Sequence, residues 1–350
     1  MGMIKIPQLA VDFFKINLDE IFQTGNLAEG KWNKILGDFV ATFCNTRNAI
    51  PTSSNGSGLV ALMLVYKTYF KKSEVLLQSN TMYGVKTMVN AAGCNLHGFI
   101  DCSLHTLMPS FYQVQSAILN YSGDRSKLIV LLSHIGGILN PDIEEIAEFC
   151  KSQGIALIED CAHSFGSTLN KKHSGTFGDA GVFSFYATKS IPAGESGIII
   201  TNNDEIADYI RRFIIYDRFQ QKMNIGNNNR PSEIQALFTY SVVKCSDEII
   251  ANKVEIANIF IPICTKFGIQ YIEQFTKNTT GNYYKFIVYN PNIPISKFLP
   301  TLKSKTSAVY DYSLSGIGNI QTHHACLPIW YGQEIELTNK VVEELNASFK

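Results

Sequence analysis

The feature that most restricts this chain is an alternation between about residues 55 and 200. Short apolar runs bounded by turn residues take turns with longer segments of helical character. EVLLQS (74–79), KLIVLLSH (127–134), IALIED (155–160), GVFSFY (181–186) and GIIIT (197–201) are compact and rich in β-branched or aromatic residues, so they predict buried strands. LVALMLVYKTY (59–69) is apolar nearly all round and predicts a buried helix whose N-terminus opens onto a Ser/Gly-rich turn. PDIEEIAEFCKSQG has Pro141 and acids at its head, apolar residues at helical spacing and Gly154 at its tail, the pattern of a crossover helix. A second helix is predicted at roughly 205–213. The expected class is α/β, a mostly parallel sheet between two helix layers.

After these elements the polar stretch QQKMNIGNNNRPSE predicts an exposed loop, and from about residue 246 the pattern loses regularity. The chain therefore reads as a large domain over residues 1–245, N-terminal segment included, and a small C-terminal domain over 246–350. Its 350 residues suffice for two domains, and 45% hydrophobic with 17% charged residues excludes disorder.

Thirty Lys+Arg against thirty Asp+Glu give a net charge of +0, so no overall field gathers nucleic acid or an anionic membrane. No stretch approaches the roughly 20 apolar residues of a membrane span, and the first residues lack the basic and apolar regions of a signal peptide. The expectation is a cytoplasmic protein with neither nucleic acid nor membrane as partner. Eight scattered cysteines without a CxxC pair read as reduced core residues. His323 and His324 have no carboxylate or Cys at ligand spacing, so no metal is expected.

The densest chemistry lies in IEDCAHSFGSTLNKKHSGTFGDAGVFSFYATKSIPAGESGIIIT (158–201). Asp160 ends an apolar strand, where a carboxylate at the C-terminal edge of a parallel sheet faces a ligand crevice; taken alone it serves equally as a helix N-cap. Lys189 follows another strand by three residues, in a turn from which its amine reaches the same crevice; taken alone it is more often a solvated lysine. Together they supply what a pyridoxal phosphate site needs, an amine for the aldehyde and an acid for the ring nitrogen. TSSNGSGLVAL adds hydroxyls and glycines ahead of a helix, a cradle for phosphate.

These motifs resemble the fold type I pyridoxal-phosphate aminotransferases, within the DegT-like nucleotide-sugar aminotransferase family, over roughly residues 18–240. The resemblance rests on Glu159-Asp160-Cys161-Ala162-His163, on the Gly-x-x-Gly-Asp-Ala-Gly run at 175–181, on FSFYATK (183–189) and on GESG (194–197). It implies a three-layer α/β/α large domain, a small α+β domain, and Lys189 as the catalytic Schiff-base lysine. It further implies that Asp160 partners the ring nitrogen, Ser184 donates to the phosphate and His163 lies against the ring. Ser57 and Gly58 fall where the family's phosphate turn lies, although Ser57 also suits a helix N-cap. Tyr83 falls near the ring-stacking aromatic, with an aromatic packed under a loop as the plainer alternative. GNNNRPSE resembles a loop that reaches the neighbouring subunit's active site, which puts Asn228 across a homodimer interface. TGNLAEGKW (24–32) resembles a loop that borders the substrate pocket. His134 matches a family position but reads as a satisfied strand-end histidine.

The implied activity is ping-pong transfer of an amino group from glutamate to the keto group of a nucleotide-linked deoxysugar, through the pyridoxal and pyridoxamine forms of the cofactor (PLP and PMP). Two alternatives accompany it, a sugar deoxygenase on the same scaffold and a non-catalytic sensor or assembly protein. Asn229 and Pro231 depart from the family's aromatic and Met, and the region beyond 246 matches poorly.

Overall fold

The structure is a computed structural model and describes residues 4–307 and 319–350. Among the described residues the strands form three sheets. The largest is built from β1 (Asn48–Thr52), β2 (Glu74–Gln78), β3 (Asn95–Ile100), β4 (Leu128–Ser133), β5 (Ala156–Cys161), β8 (Ala180–Ser184) and β9 (Gly197–Thr201). The intervening β6 (Thr168–Leu169) and β7 (Lys172–His173) join β11 (Thr279–Thr280) in a small sheet. The third sheet holds β10 (Gln270–Tyr271), β12 (Phe286–Tyr289) and β13 (His324–Leu327).

The large sheet has the order β1-β9-β8-β5-β4-β2-β3, and β9 alone runs against its neighbours. The helices up to β9 are α1 (Gln8–Thr24), α2 (Lys31–Cys44), α3 (Asn55–Tyr69), α4 (Tyr83–Ala91), α5 (Phe111–Leu119) and α6 (Ile143–Ser152). Then come α7 (Asp204–Phe213), α8 (Glu233–Val243), α9 (Ser246–Phe267), α10 (Ile295–Phe298), α11 (Asn319–His323) and α12 (Ile335–Ala347).

Strand side chains alternate between two packed faces, which is why the strands read as unbroken apolar runs. Leu77, Ile158 and Ile199 meet Leu59 and Leu62 of α3 and Ile206 of α7. On the opposite face Phe183 and Ile198 meet Leu36 of α2 and Leu237 of α8, while Leu76 and Leu157 meet Ile118 of α5 and Ile146 of α6. A separate cluster joins α9 and α12 to β12 and β13 through Phe260, Val341, Phe286 and Leu327. No described helix is long and apolar enough to cross a membrane.

All five strands expected from the sequence form, with ends shifted by no more than a residue or two. The sequence reading misses β1 and β3, the two edges of the large sheet. An edge tolerates what an inner strand does not: Pro51 lies in β1, and β3 contains Gly98 with mostly unburied side chains. The helix expected from residue 59 begins at Asn55, because Ser54 caps it and its N–H-rich first turn is already helical.

Candidate active site

Two adjacent carboxylates at the end of β5 point to opposite faces. Glu159 is fully buried and accepts from His134 Nε2 (2.8 Å) and from the backbone N–H groups of Gly175 (2.8 Å), Phe177 (2.8 Å) and Gly178 (2.6 Å). His134 Nδ1 accepts from Asn140 N at 3.0 Å, so the ring carries its proton on Nε2 and donates it to Glu159. This carboxylate ties down the turn between β7 and β8. The turn can sit so close because Gly175 adopts φ +83° and a Cβ on Gly181 would lie 2.3 Å from the Gly175 Cα. His134, Glu159 and Cys161 form a group of metal-ligand types among the described residues, but its His and carboxylate atoms are already taken by protein donors and acceptors.

Asp160 faces the other way, into a cleft of about 410 Å³ at the C-terminal ends of β5 and β8. Its Oδ1 accepts from Asn55 Nδ2 (3.0 Å) and Ala162 N (3.2 Å), and its Oδ2 from Ser133 Oγ (3.1 Å). Three donors leave the carboxylate little freedom to rotate.

Lys189 enters the same cleft from the loop joining β8 to β9. That loop is closed by Lys189 N donating to Tyr186 O (2.8 Å) and Ala187 N to Gly194 O (2.8 Å). Burial lowers the amine to about 8; the negative charge of Asp160 opposes this and the positive charge of Lys285 adds to it. A far larger share of such an amine is neutral near physiological pH than of an exposed lysine, though the protonated form still predominates. Behind it, the next residue is clamped: Lys253 of α9 donates to Ser190 O (3.1 Å) and Ser190 Oγ (2.8 Å), and Ser190 Oγ donates to Asn282 O (3.2 Å).

The N-terminus of α3 forms another wall. Ser54 Oγ accepts from Ser57 N (3.1 Å) while Ser57 Oγ accepts from Ser54 N (3.0 Å), a reciprocal cap. Asn55 and Gly56, in the first turn, carry N–H groups without an intrahelical acceptor and line the cleft with Ser54. Gly197 allows this seating, since a Cβ there would stand 2.4 Å from the Ser54 carbonyl carbon.

Of the residues expected from the sequence, the structure brings Lys189, Asp160, His163 and Ser184 to one cleft. His163 Nδ1 accepts from Gly136 N (3.3 Å), its ring lies 4.1 Å from that of Tyr284, and burial, with Lys189 and Lys285 adding, pushes its pKa well below the usual value. Its imidazole is thus neutral.

Four residues are placed elsewhere. Ser57, the residue after the lining Ser54, Asn55 and Gly56, spends its hydroxyl on the cap around Ser54. Gly58 faces the sheet, where a Cβ would meet Val182 Cγ1 at 2.8 Å, so its small size serves helix packing. Tyr83 is 47% exposed and faces Lys86, while the preceding Met82 lines the cleft. Asn228 lies exposed on a loop bridged to Ile215. The 24–32 loop also stands apart from the cleft: Glu233 of α8 accepts from Trp32 N (2.8 Å) and Asn33 N (3.0 Å) at the start of α2, and Glu29 pairs with Arg230.

Sequence reasoning missed Asn55, Met82, Tyr284, Lys285 and the clamp Lys253. A signal existed for Asn55, two residues from Ser57 in a turn already marked as an anion cradle. Tyr284 and Lys285 come from a region without motifs.

A buried acid, a partly neutral amine and a helix N-terminus around one cleft are groups that could hold pyridoxal phosphate, the arrangement expected of α/β enzymes of the pyridoxal-phosphate type. Comparison with known proteins narrows it: residues 10–309 match the DegT/DnrJ/EryC1/StrS aminotransferase family, and the chain belongs to that family. The GDP-perosamine synthase of Escherichia coli O157:H7 is 29% identical over 244 residues, 66% of this chain and 65% of that protein. The chain thus aligns to slightly less than two thirds of that relative. A dTDP-3-amino-3,4,6-trideoxy-alpha-D-glucose transaminase of Micromonospora megalomicea subsp. nigra is 25% identical over 276 residues, 78% of this chain and 72% of that one. The crystal structure of the aminotransferase TlmJ from Streptoalloteichus hindustanus superposes with a TM-score of 0.84 at 20% identity, covering 99% of both chains, which shows the shared fold.

Proposed function

We propose that the protein is a pyridoxal-phosphate-dependent aminotransferase that moves an amino group from glutamate to the keto carbon of a nucleotide-linked deoxysugar. The observation that carries this reading is the convergence of Lys189 and Asp160 on one cleft beside the α3 N-terminus. When bound, the cofactor supplies an electron sink for the charge left on a deprotonated amino-acid carbon.

The chain's own residues do the rest. Asn55 N, Gly56 N and the Ser184 hydroxyl are the donors for the phosphate, at the positive end of α3. Asp160, fixed by Asn55, Ser133 and Ala162, provides a negative charge for the pyridine nitrogen. Met82 and Ala162 supply apolar surface in the cleft. Lys189 Nζ takes the proton from the donor's Cα in the first half-reaction and returns one to the acceptor's carbon in the second. An amine poised at about 8 suits both directions.

On the same reading the enzyme is a cytoplasmic homodimer in which Asn228 reaches the partner's site, and the chain divides at residue 245 into large and small domains. Exposed Leu9 and Ile16, two turns apart on one face of α1, support a covered face. The start of α9 at Ser246, leading into the cluster around Phe260, supports the division.

The test is spectroscopic. Purified protein loaded with cofactor should show an absorbance band that shifts on adding glutamate and returns on adding a keto sugar nucleotide. A protein that takes up no cofactor, or whose band ignores every amino donor, overturns the reading in favour of a sensor.

A further inference from the structure

We infer that Lys285 is a binding site for an anionic group of the substrate, a carboxylate or a phosphate, at the end of the cleft shared with Lys189. The inference rests on the transaminase reading above, which it deepens.

Lys285 sits just before β12, and its backbone is held on both sides. Its N–H donates to Gly136 O (3.1 Å) and its carbonyl accepts from Gln274 Nε2 (2.8 Å). The side chain is therefore aimed from a rigid base. Its ammonium nitrogen nevertheless has poor company: Thr306 Oγ1 at 3.4 Å and Ser307 Oγ at 3.5 Å, both at the outer limit of a hydrogen bond. Among the described residues no carboxylate lies within ion-pair distance of Lys285.

The buried Lys253 makes the contrast. Lys253 also lacks an acid, yet it has two neutral acceptors on Ser190, at 2.8 and 3.1 Å, which hold it in place. Lys285 lines the open cleft and Lys253 does not. A partly buried ammonium group with two long hydrogen bonds and one aromatic face has no charged partner, and a ligand oxygen can supply one.

The charge balance of the cleft points the same way. Lys189 and Lys285 lie 5.3 and 5.2 Å from the centroid of one ring, that of Tyr284. Of the two lining acids, Asp160 already accepts from three donors and Glu195 is exposed at the rim. Burial pushes the Lys285 amine below its usual value, and its positive charge bears on His163, Lys189 and Lys253 as well. An arriving anion relieves all of these at once.

Both substrates of the proposed reaction carry such a group, the amino donor a carboxylate and the sugar nucleotide a diphosphate. The experiment separates them. Cofactor-loaded protein, in which the phosphate cradle is filled, is titrated by calorimetry with 2-oxoglutarate and separately with inorganic pyrophosphate. The same titrations are made on Lys285→Met and Lys285→Arg. Loss of a charge-assisted hydrogen bond should weaken one of the two ligands by about tenfold or more in the Met variant. The other should stay unchanged, and the Arg variant should recover most of the loss. The ligand affected identifies the source of the anion.

Unchanged affinity for both overturns the inference, as does failure of the parent protein to bind either anion. Equal weakening of both with a lowered melting temperature reads as a folding fault and overturns it too. A parent protein that binds one anion through Lys285 but transfers no amino group would sink the transaminase reading and leave the anion site standing.

Discussion

Two regions meet at the cleft and are built on different terms. In residues 158–201, Asp160, His163, Ser184 and Lys189 are set by strand ends and by one closed loop of the large sheet. There, backbones approach so closely that the sequence has little choice: Gly181 against Gly175, Gly197 against Ser54. In residues 282–307, Tyr284, Lys285 and Ser307 reach over from beside a small antiparallel sheet held by Gln274 and Asn282. That register constrains alternation and burial, and by itself fixes no residue type for the side chains facing the cleft. On the proposed reading, the reaction's chemistry falls to the first region and selection among substrates to the second.

The division breaks if the first region can lose its amine and keep turnover. Lys189→Ala should lower amino transfer by about 10³-fold, the scale of a positioned acid–base group, with little change in melting temperature. Single-turnover absorbance on the loaded protein measures it. Asp160→Asn keeps the shape and removes the charge, and should cost about 10²-fold in kcat. Undiminished activity in either variant would move the chemistry out of this region.

The neighbouring acid sharpens the point, because Glu159 and Asp160 differ in facing rather than in type. Glu159→Gln sets an amide donor against the N–H groups of Gly175, Phe177 and Gly178 or against His134, and should destabilise the fold by about 1–3 kcal/mol. Urea unfolding should show that loss while kcat of the folded fraction stays near the parent's. The reverse pattern, stability kept and kcat lost, would mean that Glu159 belongs to the chemistry.

The contrast between regions also explains what could be read from the sequence. Lys189 and Asp160 were legible as a pair, an acid at the end of one buried strand and an amine just after another, whereas His163 and Ser184 were reached only through the family resemblance. The inner strands were legible for a simpler reason, burial on both faces. Ser57 and Gly58 were legible as a helix start, but the choice of lining residue depends on where the cap falls, and the capping residue is Ser54. Tyr83 and Met82 differ by one residue at the start of α4, where a shift of one position turns a side chain by about 100° around the axis. Tyr284 and Lys285 were illegible because their role comes from tertiary placement, Gly136 and Asn282 bridging segments far apart in the chain.

Lys253 joins the two regions by holding Ser190, the residue after Lys189, which in turn contacts Asn282. Lys253→Met should lower kcat by about tenfold with KM little changed, since it loosens the placement of Lys189 without touching the cleft. Burial pushes the Lys253 amine down to about 7, with Lys285 adding to it, against the usual 10.5. Between those values the unfolded chain holds the extra proton, so this group makes stability rise with pH from about 7 to 10.5. Denaturant titrations across that window should show a flatter pH dependence in the Met variant. A slope identical to the parent's would mean that Lys253 is not the buried amine responsible.

The finest test asks whether the second region acts on the first through charge. In cofactor-free protein the rate of acylation at Lys189 should rise through pH of about 8, because only the neutral amine attacks and burial holds its pKa there. Lys285→Met removes a positive neighbour, so protonated Lys189 becomes easier to keep and the midpoint should move up. Asp160→Asn removes the negative neighbour that favours the proton, and the midpoint should move down. Peptide mapping of the acylated lysine against pH reads both shifts. Opposite movements show that the small-sheet region tunes the amine it faces. If Lys285→Met leaves the midpoint where it was, the two regions share a cleft without sharing a field, and selection by the second would rest on contact alone.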